Sequence, residues 1–192
     1  MFFDRSSDRP SPYRPLMGLM ILTLLVGAAG TLFTEPSIPT WYAALAKPDF
    51  SPPNWLFAPV WTTLYILMAI AAWRVWRIVG LRPASPLARS ASKGEVAVAG
   101  SRAGEGRRGI NKEMAAWGVQ LLLNFLWTPL FFGAHLILLA LVEMALLWLA
   151  ILATLILFWR KDRIAGLLFV PYLAWVSFAF ALNLAIWRLN GA

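Results

Sequence analysis

Few side chains in this 192-residue sequence can do chemistry, and most of them lie inside long apolar runs. Gln120 and Asn124 stand one helical turn apart, so a helix presents both amides on one face. Asn183 lies toward the end of a later apolar run, and Glu143 is the only acid well inside one. Amides at such positions either bond a ligand or join helices, and both readings stand for Asn124 and Asn183. Glu143 reads equally as a proton or ligand site and as a protonated or paired packing residue. The single histidine, His135, follows Gly133 in a short turn and reads as a helix-end residue, because an axial haem ligand lacks any partner here. With one histidine and no cysteine, multi-histidine metal sites, thiolate sites, Fe–S clusters and disulfides are excluded, and no metal is expected. Tryptophan is abundant, with 11 in the chain. Trp55, Trp159 and Trp187 stand at the ends of apolar runs, as interfacial rings do. Trp61, Trp127 and Trp175 stand inside them, where large rings either pack helices or wall a pocket for a flat apolar ligand.

The elements that must position these groups are membrane spans. Hydrophobic residues make up 60% of the chain and charged ones 14%, against ~45–50% and ~25% in soluble domains. Five runs are long enough to cross a hydrocarbon core as helices: Leu16–Phe33, Phe57–Val79, Ala115–Phe132, Leu136–Trp159 and Ile164–Trp187. The fold class is therefore an all-α membrane protein, a bundle of five transmembrane helices, since a helix satisfies its own backbone in lipid. The first run reads as a span and not a cleaved signal, being longer than a signal's apolar core and preceded by a long polar leader.

The net charge of +8 is a topology signal and needs no nucleic acid. Fifteen of the 17 basic residues fall on the side shared by the N-terminus and the second and fourth loops, leaving only Lys47 and Arg188 opposite. The positive-inside rule places the N-terminus in the cytoplasm and the C-terminus outside. Residues 1–15 read as a polar cytoplasmic leader. Residues 81–110, rich in Ala, Ser, Gly and Arg, read as a disordered basic cytoplasmic loop. Between them and within the 16–188 membrane domain, residues 35–56 carry five prolines among Trp41, Tyr42, Phe50 and Trp55. Proline predicts extended pieces and short turns there, with a helix permitted only after Thr40 as N-cap. Such a stiff aromatic loop is either an interfacial belt or an ordered lid over a cavity.

Several segments together resemble the TspO/translocator-protein family. They are Trp41-Tyr42-Ala43-Ala44-Leu45-Ala46-Lys47-Pro48, then Ser51-Pro52-Pro53-Asn54-Trp55, then Pro59-Val60-Trp61-Thr62-Thr63-Leu64-Tyr65. Gln120 to Pro129, Phe131-Phe132-Gly133 and Val170-Pro171-Tyr172-Leu173-Ala174-Trp175 follow in the same order. The resemblance implies a five-helix bundle, commonly a homodimer, that binds porphyrins such as protoporphyrin IX or haem and related hydrophobic molecules, with no tightly bound cofactor. By the same resemblance Trp41, Tyr42, Trp61, Asn124, Trp127, Trp175, Ala179 and Asn183 form the ligand site. Trp175 and Ala179, one turn apart, set a small side chain beside a large ring and leave a slot for a flat ligand. The implied role is a membrane receptor or sensor affecting tetrapyrrole handling. Light- and oxygen-dependent porphyrin degradation is the alternative, with Trp61 and Trp175 as electron-exchange candidates; transport of porphyrin or lipid is a third. No acid–base pair or nucleotide motif supports conventional catalysis. Two departures stand out. The loop between the second and third spans is longer than the family's, and 182–188 lacks the Tyr of a sterol-recognition pattern.

Overall fold

The computed structural model of the chain describes residues 13–79 and 111–191. The expected disordered loop over 81–110 and nearly all of the polar leader lie outside these residues. Five helical spans run Arg14–Tyr42, Asn54–Val79, Lys112–Gly133, Ile137–Trp159 and Arg163–Asn190, each long and apolar enough to cross a membrane. Among the described residues there is no strand. The helices are α1 (Arg14–Ser37), α2 (Phe57–Val79), α3 (Lys112–Thr128), α4 (Ile137–Trp159), α5 (Arg163–Leu167) and α6 (Val170–Asn190). The fifth span is α5 and α6 together, broken just before Pro171, whose missing N–H suits the first turn of a helix.

The 35–56 segment departs from expectation. The helix does not stop at the prolines: α1 runs through Pro36, and Ile38–Tyr42 continues it as a wider π-helical turn. Thr40 is no N-cap; its hydroxyl donates to the Pro36 carbonyl at 2.8 Å inside the helix. A second π-turn, Pro129–Gly133, continues α3 in the same way. Proline has no N–H to place in either ladder, so a wider turn accommodates it at little loss. The two turns are fastened by Ser37, whose hydroxyl donates to the Phe132 carbonyl at 2.7 Å. Both deliver aromatic rings, Tyr42 and Phe131, into buried positions.

Packing follows the short connections. α1 lies on α2 and α3, α3 on α4, and α4 on α5 and α6. α2 closes the ring mainly through α5, at the end carrying Arg74 and Asp162 (the basic end). Toward the other end, where the 45–53 loop lies, α2 and α6 are bridged by side chains. There Phe57 meets Trp175 and Trp61 meets Tyr172, edge to face at 5.8 and 6.2 Å. Outward-facing Met17, Ile21, Leu25, Leu122, Leu146 and Leu149 are all more than half exposed, as lipid-facing side chains are.

The basic end is tied by polar contacts. Asp162 caps α5 by accepting from the Ile164 and Ala165 N–H groups and takes a 2.8 Å ion-paired hydrogen bond from Arg74 of α2. Burial raises the Asp162 carboxyl, but the bonds from Arg74 and the two backbone amides, with the Arg74 charge, outweigh it and hold the group below its ordinary value. A depressed carboxylate contributes stability above the unfolded value, near pH ~4, and that contribution is lost as pH falls through the folded one. Thermal unfolding in detergent should therefore show a drop in Tm below about pH 4 that Asp162→Asn, already lacking the charge, does not share.

Gly166 of α5 packs directly against Trp159 at the end of α4. A Cβ there would stand 2.8 Å from the Trp159 Cα, which is backbone and cannot swing away. Gly166→Ala should lower stability by about 1–3 kcal/mol, read as a shift of the unfolding midpoint. An unchanged midpoint would mean the α4–α5 corner yields to the added methyl group.

Candidate ligand-binding site

The spans enclose a cavity of about 530 Å³ in the half of the bundle nearer the 45–53 loop. It exists because α2 and α6 diverge above α5 and large rings stand across the gap. Its floor is the main core cluster, with Met144, Leu147 and Val176; its far end is the smaller cluster of Tyr42, Phe131, Leu182 and Ile186. Aromatic rings form most of the wall. Trp127 stacks on Phe131 at 5.0 Å, Trp61 lies 5.7 Å from Tyr65, and Phe57 meets Trp175.

One polar network crosses the cavity's edge. Tyr65 donates to Asn124 Oδ1 at 2.8 Å, and Asn124 Nδ2 donates to the Tyr172 hydroxyl at 3.0 Å. Asn124 of α3 thereby joins α2 to α6 while also lining the cavity. Gly27 makes room for this network: a Cβ there would sit 2.5 Å from the Tyr65 ring. Asn183 is different. It is 2% exposed, lines the cavity, and neither of its amide atoms has a protein partner. The indole N–H groups of Trp127 and Trp175, also cavity-lining, are buried and unpartnered too. Buried polar groups in this state are uncommon and mark places where a further partner is needed.

Tyr42, Trp61, Asn124, Trp127, Trp175, Ala179 and Asn183 all line the cavity. Trp41 does not: its ring stacks on His135 at 4.1 Å and meets Phe131 edge-on at 5.3 Å. His135 adopts φ 59° in the α3–α4 turn, a conformation that suits a helix-end residue. Gln120, although on the same face as Asn124, is buried below the cavity with both amide atoms unpartnered. Glu143 is also buried and unpartnered, away from the cavity wall. No metal-holding cluster of His, Cys, Asp or Glu occurs among the described residues. Tyr65, Tyr172, Phe57 and Phe131 stand in the quoted segments or spans but are not among the site residues expected from the sequence. The spacing of Trp61 and Tyr65, one turn apart, is the signal that could have found Tyr65.

The wall between α1 and α2 is thin. Leu24, Ala28 and Thr31 on α1 and Ala58 and Thr62 on α2 line the cavity and are themselves exposed, so it opens sideways at the depth of the spans. The two threonine hydroxyls bond carbonyls of their own helices, Ala28 and Ala58, and so leave this rim apolar.

Comparison with known proteins agrees with this architecture. The family model described as TspO/MBR matches residues 19–188. The chain is 44% identical to protein CrtK of Rhodobacter capsulatus over 164 residues, 85% of each chain. It is 37% identical to tryptophan-rich protein TspO of Archaeoglobus fulgidus over 175 residues, covering 91% of this chain and 96% of that one. Identity to the human translocator protein is 33% over 179 residues, 93% and 92% of the two chains. This integral, multi-pass membrane protein belongs to the TspO/MBR family.

Proposed function

We propose that the chain is a membrane receptor or sensor whose ligand is a porphyrin or a similar flat hydrophobic molecule. The observation that carries this reading is the aromatic cavity with three unpartnered polar side chains on its wall, Trp127, Trp175 and Asn183. Its volume of about 530 Å³ lies within the ~300–1,000 Å³ of small-molecule sites. The rings offer faces for a flat conjugated ligand. The indole N–H groups and the Asn183 amide offer donors for its carboxylate or carbonyl oxygens. The sideways opening between α1 and α2 suits a ligand dissolved in the bilayer. As in the family resemblance, a homodimer is the proposed assembly.

The test is titration of detergent-purified protein with protoporphyrin IX in the dark, following tryptophan fluorescence. Saturable quenching at one ligand per chain is the expected result; quenching that only tracks the detergent-dissolved dye rules the reading out. A second reading, photo-oxidative degradation of the bound porphyrin, is favoured by the placement of Trp61 and Trp175 on the cavity wall. Illumination in air separates the two. Protein-dependent bleaching that disappears in Trp61→Phe and Trp175→Phe, with binding retained, makes the protein an enzyme.

A further inference from the structure

A second concavity, a groove of about 660 Å³, lies on the outer surface of α6 at its C-terminal end, against the 47–50 loop. The fifth span has 28 residues, or ~42 Å of helix, and exceeds a ~30 Å hydrocarbon core. Its last turn, with Arg188, therefore stands at headgroup level.

The loop is held there. Asn190 accepts from the Ala46 N–H and donates to the Ala46 carbonyl, both at 2.9 Å, and Phe50 meets Phe178 edge-on at 6.3 Å. Three charged side chains line the groove: Lys47, Asp49 and Arg188. Lys47 and Arg188 are the only basic residues assigned to this side of the bundle. None of the three is ion-paired, since the pairs among the described residues are Arg74–Asp162 and Lys161–Glu113. The Lys47 ammonium donates to the Ala43 and Leu45 carbonyls at 3.3 and 3.2 Å and lies 4.7 Å over the Tyr42 ring, so it acts on the groove through its charge. Asp49 and Arg188 are exposed, with no hydrogen-bond partner among the described residues. Beneath the charges the wall is apolar: Phe50 is half exposed, and Ala181 and Ala185 leave a trough along the helix.

We propose that this groove binds a phospholipid whose headgroup carries both a phosphate and a primary ammonium, as phosphatidylethanolamine does. Arg188 takes the phosphate, with the nearby charge of Lys47 in support, and Asp49 accepts from the ammonium. An acyl chain lies in the trough beside Phe50. The charges select the headgroup. Glycerol in place of the amine brings no positive charge to Asp49, and a trimethylated ammonium has no N–H to donate. The apolar trough, continuous with the lipid-facing side of α6, selects a lipid over a free phosphate.

The experiment is native mass spectrometry of the delipidated full chain titrated with phosphatidylethanolamine, phosphatidylcholine and phosphatidylglycerol of identical acyl chains, with inorganic phosphate as control. Phosphatidylethanolamine should bind about fivefold more tightly than either other lipid. Arg188→Gln should remove most binding of all three. Asp49→Asn should abolish the preference over phosphatidylcholine while keeping phosphate-dependent binding, and Lys47→Gln should weaken binding without changing the order. Phosphatidylglycerol binding as tightly as phosphatidylethanolamine, or an Asp49→Asn protein that keeps its preference, overturns the proposal. So does a groove covered by a second copy of the chain, seen as dimer loss in Arg188→Gln. The Arg188 and Asp49 variants, at exposed positions, should retain the wild-type unfolding midpoint, which separates lost binding from lost fold.

Discussion

Ala179→Phe should abolish high-affinity porphyrin binding while leaving the bundle folded. Ala179 lines the cavity one turn from Trp175, and its small side chain keeps open the space beside that ring. A phenyl group fills that space with no need to disturb the main core, because the added atoms enter existing cavity volume. The cost falls on the ligand. Losing flat contact over one ring face removes roughly 1.5–3 kcal/mol of apolar burial, a weakening of about ten- to a hundredfold. Dark quenching titrations give the affinity, and the unfolding midpoint shows that the fold is kept. A variant that binds like the parent would place the ligand elsewhere in the cavity and would redirect attention to the Trp127–Phe131 stack.

Asn124→Leu should be the most damaging single change to the bundle itself among the cavity residues. It leaves the Tyr65 and Tyr172 hydroxyls without the partner that joins them. Tyr172 is fully buried, so its hydroxyl has no water to turn to. An unsatisfied buried group costs about 1–3 kcal/mol, whereas an ordinary interhelical bond in a membrane averages only ~0.6 kcal/mol. The size of the loss thus reports which regime holds. A drop well above 1 kcal/mol identifies the network as a structural clasp between α2, α3 and α6. Tyr65→Phe combined with Asn124→Leu should then cost less than the two single losses added, because the stranded partner is gone. Strict additivity would mean that Tyr65 and Asn124 do not act together.

Much of this architecture was legible from composition alone. Lipid as solvent forces each apolar run into a self-bonded helix, so hydropathy places the five spans to within a few residues except at one end. The first span runs on past Phe33 to Tyr42, although proline ordinarily ends a helix. Pro36 and Pro39 instead lie within a helix that widens into a π-turn, secured by Thr40 and by Ser37 bonding to the neighbouring span. That outcome depends on a partner helix 95 residues away in sequence from Ser37.

The site divides along the same line. The types of residue required, rings and amides inside spans, are visible in the sequence, and seven of the eight positions the family resemblance names line the cavity. What each does was decided by tertiary contacts. Asn124 and Asn183 look alike in sequence, yet one is consumed in a bond between helices and the other stands unpartnered at the cavity wall. Trp41, adjacent to Tyr42 in the chain, points to His135 while its neighbour lines the cavity. Periodicity determines which residues share a face of one helix. Only the packing of five helices decides what that face meets, and so separates polar groups bonded between helices from those left unpartnered at the cavity wall.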